Sequence, residues 1–464
     1  MKRKKLVIIG AGSAMFTQGL IADFIQAQNF GKWEISLVDI DLLALESITR
    51  LAHKMIEHTK ADLLISSSLD RCEVLPCADV VITTIAVGGR RAWEQDVFIP
   101  RKYGIFQPVG DTSMPGGISR ALRMIPVMLE IAHDVKALCP EAYFFNYSNP
   151  MSAICQAVRC EMDSPMIGLC HGVFHVEHYL ARFAGVPPEK VSSLAVGLNH
   201  LTFIFDLRYE GLNLWDEIDR QLAVKKSNMD PHLKMADSFP EMGGKVPDSS
   251  EHLDNPFSWS LYERYGAFPA VLDRHVVEFF PERFPEGRYY EQQLGVDAFS
   301  FEKVIAYGDQ IYQDMHDQAL GKKAMDFQLL ERTSGEHEQL VEILRSLYHD
   351  ERKTFSVNMP NGGAVSNLPA HSVLELPAVA TGNGFYPLHI PNFNEIAAAT
   401  LTKRIAVVDM TVKAALTGSR KYFVEALLLD GSVTDESTAE RLADELLLVH
   451  QEHLPQFANE LRQV

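Results

Sequence analysis

The sequence has few cysteines, no long apolar run and no excess of positive charge, and each absence excludes a class of protein. Its 464 residues include six cysteines, none of them in a CxxC pair, which argues against a disulfide framework and a structural zinc site. No apolar run approaches the roughly 20 residues that a membrane span needs, and Leu6–Ile9 is too short for an export signal. A net charge of −18 disfavours an extended nucleic-acid surface. We therefore expect a cytoplasmic protein that binds neither nucleic acid nor membrane.

Composition and length indicate a globular protein with two closely packed domains. Hydrophobic residues make up 47% of the chain and charged residues 22%, which excludes disordered, collagenous and coiled-coil chains. The apolar side chains suffice for a sizeable core, and the chain has no internal repeat or low-complexity segment.

The N-terminal segment follows the pattern of a dinucleotide-binding unit. A short β-branched run over residues 5–10 predicts a buried strand that ends in glycine. The amphipathic run over 15–27 predicts a helix, and residues 33–38 predict a second strand that ends in Asp39. A strand, a glycine turn, a helix and a strand with a terminal acid open a Rossmann-type domain.

The residues of the turn favour NAD as the cofactor. Gly10, Gly12 and Ser13 form the turn in which the backbone approaches a pyrophosphate at the positive end of the helix. Asp39 can accept hydrogen bonds from ribose hydroxyls and would repel a 2′-phosphate, so NAD is favoured over NADP. The turn departs from GxGxxG, since Met15 replaces the third glycine. The alternative is a doubly wound domain that binds another nucleotide or none.

Further strand and helix signals continue this alternation. Strands are predicted over 79–86, 143–146 and 165–169, and a long helix over 116–137. Because parallel strands end at one edge of a sheet, the polar clusters that follow them are expected to meet there. These clusters are residues 87–90, 146–149 and 170–171. Within them, Val87 and Asn146 are assigned to the cofactor site.

The pattern changes after residue 195. Residues 195–207 and 208–211 indicate antiparallel strands with a turn, and residues 225–256 indicate a long surface loop or lid. Helices are predicted over 301–320, 336–347, 396–416 and 437–450. We therefore predict an α/β protein similar to lactate and malate dehydrogenases. Its NAD-binding Rossmann domain, with a parallel sheet, would span 1–195, and a mixed α+β substrate and catalytic domain would span 196–464.

Two residues have the chemistry of a metal site. Cys170 follows a predicted strand and His200 lies thirty residues later, and a thiolate with an imidazole suits a divalent transition metal. Two protein ligands leave open positions for water or substrate, as in catalytic metal sites. The alternative is a free cysteine that packs in the core and a histidine with structural hydrogen bonds.

Three further features are candidates for the cleft. His171, His175 and His178 lie at helical spacing, and His171, next to the cysteine, is the one expected to line the cleft. Asp111 precedes a predicted helix, where it can hold substrate hydroxyls or a metal, or be a loop acid without function. Residues 264–278 are dense in Arg, His, Tyr and acids, as in a functional segment or an exposed surface with salt bridges.

Together these segments resemble the NAD- and metal-dependent glycoside hydrolases of family 4, which depart from hydrolysis by two carboxylates. The matching segments are Gly10-Ala-Gly12-Ser13, Asp39, Gly110-Asp111-Thr112, Pro115-Gly116-Gly117, Asn146-Tyr-Ser-Asn149-Pro150, Cys170-His171-Gly172, Gly197-Leu-Asn199-His200, Asn361-Gly362-Gly363 and Asn367-Leu368-Pro369. They follow the family's order over nearly the whole chain.

The resemblance implies NAD and Mn²⁺ as cofactors, with Cys170 and His200 as metal ligands. It places Asn149 between cofactor and sugar, Asp111 against the substrate and His171 near the leaving group. It also implies a reaction in which hydride transfer from the sugar C3 to NAD⁺ makes the C2 proton acidic, while Mn²⁺ polarises the ketone. A base removes that proton, the C1 substituent leaves by elimination, water adds and the hydride returns.

The base and the carboxylate-binding residues are assigned by position. Family members acting on other sugars place a tyrosine in the segment that corresponds to 262–278. Here we predict Asp273 as the base, with Tyr265 as the alternative. Arg274 and Arg120 are predicted to bind a substrate carboxylate, since arginine is the best bidentate partner.

The resemblance also implies a substrate class. Residues 170–175 and 273–280 look most similar to α-galacturonidases, which implies a small α-glycoside substrate and specifically a galacturonide. The family usually forms homodimers or homotetramers, so we expect one of these. The alternatives are an α-galactosidase or α-glucosidase of the same family, a 2-hydroxy-acid dehydrogenase in which Cys170 and His200 are idle, and a non-catalytic NAD sensor.

Overall fold

Strands and helices alternate along the first part of the chain, as the sequence predicts. The structure is a computed structural model and describes residues 3–14, 16–162, 164–227, 254–327, 330 and 339–462. The strands of this part are β1 (Lys4–Ile9), β2 (Trp33–Val38), β3 (Leu63–Ser68), β4 (Val80–Thr83), β5 (Tyr143–Asn146) and β6 (Ile167–Gly168). The helices are α1 (Phe16–Gln26), α2 (Leu42–Thr59), α3 (Arg71–Val74), α4 (Gly89–Arg101), α5 (Met114–Leu138), α6 (Met151–Met162) and α7 (Gly172–Ala184).

The six strands form a parallel sheet in the order β3-β2-β1-β4-β5-β6. This is the order of a doubly wound dinucleotide-binding sheet, which binds ligands beyond the carboxyl ends of its strands, where the order reverses. In β1, Leu6 and Ile8 pack with residues of α1 and α2, and Val7 and Ile9 pack with residues of α5. Because helices cover both faces, the strand is apolar from Leu6 to Ile9.

The rest of the chain adds further strands and helices. The strands are β7 (Val191–Leu198), β8 (Leu201–Tyr209), β9 (Leu212–Asn213), β10 (Phe268–Ala270), β11 (Arg288–Tyr289), β12 (Gln292–Gln293), β13 (Thr354–Pro360), β14 (Val373–Thr381) and β15 (Gly384–Pro387). The helices are α8 (Trp215–Ser227), α9 (Pro256–Tyr265), α10 (Asp273–Val276), α11 (Phe301–Ala319), α12 (Leu340–His349), α13 (Glu395–Thr417), α14 (Arg420–Asp430), α15 (Glu436–Val449) and α16 (Ala458–Leu461).

The later strands extend the parallel sheet with antiparallel ones. Beyond β6 the order is β13-β14-β7-β8-β10, while β15 pairs with β14 and β9 with β8. The predicted fold class, a parallel Rossmann-type sheet with a mixed α+β part, is confirmed. The predicted domain boundary after residue 195 falls inside β7, and the sheet continues across it.

The antiparallel hairpin turns earlier than predicted. The chain reverses between β7 and β8 at Asn199 and His200, and His200 has φ +65°. The predicted turn at 208–211 is a second reversal, between β8 and β9. The hairpin therefore presents His200 at its tip.

Three of the later helices agree with the prediction. Part of the predicted lid lies outside the described residues. Helices α11, α13 and α15 correspond to the predicted helices 301–320, 396–416 and 437–450. Of the predicted loop or lid over 225–256, residues 228–253 lie outside the described residues, as do residues 336–338 of the predicted helix 336–347.

A buried ion pair joins α4 to α5. Its two residues also bind the loop after β4 and His450, which follows α15. Arg123 and Asp96 are 1% and 0% exposed and share two hydrogen bonds of 2.9 and 2.5 Å. His450 Nε2 lies 2.9 Å from Asp96 Oδ1, and Arg123 Nε donates to the Val87 carbonyl at 2.9 Å. Burial alone would raise the pKa of Asp96, but Arg123 and His450 hold this pKa below its ordinary value.

We expect Asp96→Asn to destabilise the protein by about 3–5 kcal/mol, because it leaves the Arg123 charge buried without a counter-charge. Thermal unfolding followed by circular dichroism measures the change. Asp62→Asn is the matched control, since Asp62 pairs with Arg3 and Lys32 at the surface. Equal midpoints for the two variants would show that the buried pair contributes no more than the exposed one.

Candidate active site

The turn after β1 has no room for a side chain at Gly10 or Gly12. Gly10 has φ +90°, and a Cβ on it would lie 2.5 Å from the Thr84 carbonyl oxygen. A Cβ on Gly12 would lie 2.8 Å from Asp39 Oδ2. The Gly12 N–H donates to that oxygen at 2.7 Å, and the Ser13 N–H donates to the Gly10 carbonyl at 3.1 Å. The acid at the end of β2 therefore holds the turn, and the turn keeps its backbone clear of side chains as pyrophosphate binding requires.

The two other residues assigned to the cofactor site differ in their placement. Val87 follows β4, and its carbonyl is held by Arg123. Asn146, at the end of β5, is 0% exposed; its side chain accepts from Thr83 Oγ1 at 3.0 Å and from the Ser148 N–H at 2.9 Å. The Asn146 side chain thus shapes the loop after β5, and its contact with the cofactor stays a prediction.

Three side chains from distant segments converge beside this edge of the sheet. Asp111 precedes α5, His200 is at the tip of the β7–β8 hairpin and His275 lies in α10. Their ligand atoms lie within 4.8 Å of one another, and the two imidazole rings have their centres 4.4 Å apart. His200 is 8% exposed. This group has the composition of a metal site, with one carboxylate and two imidazoles.

Thr112 orients the group by joining two of its members. Its hydroxyl donates to Asp111 Oδ1 at 2.7 Å and lies 2.8 Å from His200 Nδ1. Because a hydroxyl has one proton, donation to the carboxylate makes it the acceptor from His200 Nδ1–H. In the neutral imidazole the lone pair is then on Nε2.

The charges around Asp111 keep it ionised. Burial alone would raise the pKa of its carboxyl, but His200, His275 and Arg120 together hold this pKa below its ordinary value. Asn149 Nδ2 donates to Asp111 Oδ2 at 3.0 Å, and Arg120 Nε donates to the Asn149 carbonyl at 3.0 Å. The structure thus brings together four predicted site residues, Asp111, Arg120, Asn149 and His200, with His275.

Cys170 and His171 are not among the residues around Asp111 whose ligand atoms lie within 4.8 Å of one another. Cys170 follows β6 and is half-buried, and its Sγ accepts from the Gly172 N–H at 3.4 Å. His171 is exposed at the start of α7, where its carbonyl accepts from the His175 N–H at 2.9 Å. The structure pairs His200 with a carboxylate and a second imidazole, so the assignment of Cys170 as a ligand stays a prediction.

The Asp273 carboxylate, predicted to be the catalytic base, is buried among hydrogen-bond donors. It is 0% exposed, and its carboxylate accepts four hydrogen bonds of 2.6–2.9 Å. The donors are the Phe257 N–H, the Ser258 N–H and hydroxyl, and the Tyr289 hydroxyl. The carboxylate thus anchors the first turn of α9, and the role of Asp273 as the base stays a prediction.

The other residues predicted from this segment have different surroundings. The Tyr265 hydroxyl lies 3.2 Å from Thr400 Oγ1 in α13, and its ring packs on Phe203. Arg274 is half-buried in α10, next to His275. Their roles as the alternative base and as a carboxylate ligand stay predictions.

Sequence reasoning missed His275 and Glu278 as individual site residues. Glu278 is 2% exposed and accepts from the backbone N–H groups of Val109 and Gly110 at 2.8 and 2.9 Å. Burial raises the pKa of Glu278 to about 8. The spacing i, i+3 between His275 and Glu278 is the available signal, since such residues share one helical face. Glu278 binds the backbone just before Asp111, and His275 lies beside the Asp111 carboxylate.

A comparison with protein-family models matches most of the chain to one family. Residues 5–186 match the model described as Family 4 glycosyl hydrolase, and residues 195–433 match the Family 4 glycosyl hydrolase C-terminal domain. The chain belongs to glycosyl hydrolase family 4. The family inferred from the motifs is therefore confirmed. Among its described residues, no helix of this hydrolase has the length and apolarity for a membrane span.

Known relatives of this family 4 hydrolase differ in their substrates. An α-galacturonidase of Bacillus subtilis is 30% identical over 96% of this chain and 96% of its own. An α-glucosidase of Erwinia rhapontici is 29% identical over 94% of this chain and 95% of its own. An α-galactosidase of Bacillus subtilis is 28% identical over 98% of this chain and 100% of its own.

Solved structures agree on the fold. The Bacillus subtilis protein lplD has a TM-score of 0.82 at 27% identity, covering 96% of this chain and 100% of its own. A 6-phospho-α-glucosidase from gut microorganisms, solved in complex with NAD and Mn²⁺, has a TM-score of 0.81 at 19% identity, covering 98% and 100%. A malate dehydrogenase of Cryptosporidium parvum has a TM-score of 0.52 at 14% identity, covering 89% and 99%. The last two likenesses concern the fold alone.

A buried carboxylate of the neighbouring strand β14 contacts the β7–β8 hairpin of this family 4 hydrolase. Glu375 of β14 is 1% exposed and its Oε2 accepts from Thr202 Oγ1 at 2.8 Å. Gly197 of β7 pairs with both Glu375 and Thr202, so the three residues form one row across the sheet. Burial raises the pKa of Glu375 to about 7, against the opposing effects of Thr202, Asn199 and Ser356.

We expect the raised pKa of Glu375 to lower the stability of the folded protein as the pH rises. A folded-state pKa of about 7, above the ordinary 4.5, means that the unfolded chain ionises first, so stability is lost between pH 4.5 and 7. Glu375→Gln removes this ionisation, so the thermal midpoint of the variant should rise relative to the wild type between pH 5 and pH 8. The exposed control Glu425→Gln should keep a constant difference. A constant difference for Glu375→Gln as well would contradict the raised pKa.

Proposed function

We propose that the protein is an NAD- and Mn²⁺-dependent glycosidase that cleaves α-glycosidic bonds, with an α-galacturonide as its substrate. One observation supports this above the others. The Asp111 carboxylate lies within 4.8 Å of ligand atoms of two histidines and is bonded to Asn149, at the sheet edge that carries the glycine turn. This juxtaposition suits a metal and a hydroxylated substrate beside a dinucleotide.

The turn after β1 has the features that a dinucleotide requires. Gly10 and Gly12 have no space for a Cβ, and their N–H groups precede α1, whose N-terminus favours a phosphate. Asp39 can accept a ribose hydroxyl in addition to the Gly12 N–H, since each carboxylate oxygen has two lone pairs. When bound, NAD⁺ supplies reversible acceptance of a hydride. The NAD and Mn²⁺ complex of a structural neighbour supports this assignment.

Asp111, His200 and His275 have donor atoms that suit Mn²⁺, because carboxylate oxygens and imidazole nitrogens both bind such cations. When bound, Mn²⁺ supplies Lewis-acid polarisation of a substrate oxygen. Thr112 contributes by fixing the His200 ring, as an oxygen partner on the other nitrogen commonly does for metal-binding histidines. Cys170, on the loop after β6, stays the ligand predicted from the sequence.

Asn149 and Arg120 are the groups best placed to bind the sugar. Asn149 Nδ2 holds the carboxylate of Asp111, while Asn149 Oδ1 is buried without a hydrogen-bond partner among the described residues. A substrate hydroxyl would satisfy that oxygen. Arg120, bonded through Nε to Asn149, carries a charge that a uronate carboxylate would meet. A galacturonide therefore suits this site better than a neutral sugar.

A neutral α-galactoside or α-glucoside is the second candidate substrate. It is supported by the activities of relatives that are 28% and 29% identical to this chain. Arg120 would then hold only the backbone of Asn149. The two candidates differ in one group, the carboxylate at C6 of the sugar.

A panel of synthetic α-galacturonide, α-galactoside and α-glucoside substrates tests the proposal. We expect the galacturonide to have the highest kcat/KM and to require both NAD⁺ and Mn²⁺, in the presence of a thiol reductant. In heavy water, the released sugar should carry deuterium at C2, because elimination exchanges that proton. Hydrolysis without NAD⁺, stoichiometric accumulation of NADH or a product without label would each contradict the mechanism.

We expect His275→Ala to weaken Mn²⁺ binding at least about tenfold, since loss of one ligand from a small donor set lowers affinity. Electron paramagnetic resonance of free Mn²⁺ measures the affinity without any need for activity. His178→Ala is the control, because His178 lies in α7 against Phe174.

The same titration of Cys170→Ser decides the ligand predicted from the sequence. Weaker binding by this variant would add the thiolate to the donor set. Full affinity in His275→Ala, together with loss of affinity in Cys170→Ser, would replace His275 by Cys170.

A further inference from the structure

Helix α11 belongs to the second part of the chain but packs on the cofactor-binding part. His316 Nδ1 lies 3.1 Å from Ser47 Oγ in α2, and Lys54 Nζ donates to the Gln318 carbonyl at 2.6 Å. The α-carbon of Gly308 is so close to α4 that a Cβ would lie 3.1 Å from Arg90 Cδ. One helix therefore contacts the elements that follow β2 and β4, on either side of the glycine turn.

An acid of α11 joins two arginines at the start of α4. Asp309 Oδ1 accepts from Arg90 Nε at 2.7 Å and from Arg91 Nη2 at 2.6 Å, and its Oδ2 lies 2.5 Å from the same Arg91 nitrogen. The Asp309 side chain is 42% exposed and that of Arg91 is 61% exposed. The ion pairs are therefore open to solvent and to a ligand.

Tyr312 packs against one of these arginines. The Arg90 guanidinium lies 4.0 Å from the centre of the Tyr312 ring. Burial raises the pKa of the Tyr312 hydroxyl, and the nearby carboxylates of Asp39 and Asp41 add to this while Arg90 opposes it. Tyr312 therefore packs on Arg90 and lies within the electrostatic influence of Asp39 and Asp41.

The residues Asp39 and Arg90 correspond in type to those that bind the adenosine end of a dinucleotide in Rossmann-type sites. In Rossmann-type sites the acid after β2 binds the ribose 2′-hydroxyl of NAD, whereas a nearby arginine accommodates the 2′-phosphate of NADP. Both elements are present here, since Asp39 follows β2 and Arg90, at the start of α4, packs on Tyr312. Ile40, next to Asp39, is 95% exposed and offers an apolar surface for a purine ring.

We propose that Asp309 makes the protein selective for NAD over NADP, because its carboxylate occupies the two arginines that would otherwise bind a 2′-phosphate. This inference rests on the proposed binding of NAD. Asp39 repels the phosphate directly, and Asp309 removes the cationic partner that would compensate. A residue from the second part of the chain thus sets the specificity of the first.

Calorimetric titration with NAD⁺ and NADP⁺ tests this on the intact protein. Asp309→Asn should lower the Kd for NADP⁺ about tenfold or more, the effect of one charge-assisted contact, and leave the Kd for NAD⁺ within about threefold. Asp314→Asn is the matched control, since Asp314 lies in the same helix and pairs with Lys323 at 2.7 Å. Adding Arg90→Gln and Arg91→Gln to Asp309→Asn should abolish the gain for NADP⁺.

Two outcomes would overturn the inference while the proposed function stands. In the first, Asp309→Asn binds NADP⁺ no more tightly than Asp314→Asn does. In the second, Asp309→Asn changes the affinities for NAD⁺ and NADP⁺ equally, so that the arginines contact phosphates common to both. Wild-type protein that binds no NAD⁺ would instead overturn the proposed function, and this inference with it. Circular dichroism confirms that each variant is folded.

Discussion

The half-buried Asp111 carboxylate connects the segments from which the site is built. It accepts from Thr112 and Asn149, and it holds a negative charge beside His200 and His275. A carboxylate in such a place is stable only when its oxygens are hydrogen-bonded and its charge is compensated. These needs place the loop after β5, the β7–β8 hairpin and α10 around one point.

One continuous sheet makes that convergence possible. The parallel strands bring the ends of β1, β4 and β5 to one edge, as in any doubly wound fold. The antiparallel strands then join at β6 through the pairing of Asn358 with Gly168, so the hairpin with His200 comes to the same region. This chain thus combines a dehydrogenase-like sheet with a polar group to which the first part contributes Asp111 and the later part contributes His200 and His275.

Local patterns were predictable where one short segment decides its own structure. The strand 33–38 has Trp33, Ile35 and Leu37 on one face and was predicted without error. Gly10, Gly12 and Asp39 lie where the motif places them. The surroundings of Asp273 were not predictable, because the sequence shows only an acid in a segment dense in polar residues. Its four donors, on Phe257, Ser258 and Tyr289, are at least fifteen residues away along the chain.

The sequence by itself determined the family, the Rossmann-type opening and a pool of polar residues at strand ends, since these depend on local apolar periodicity and motif order. Only the tertiary structure decided which of them meet: it joined His275 to Asp111 and His200, and separated Asp273 from them. It also brought Asp309 of α11 to the arginines of α4. The physical reason is that hydrogen bonds and ion pairs depend on distances in space, and packing of the sheet and helices sets those distances between residues far apart in the chain.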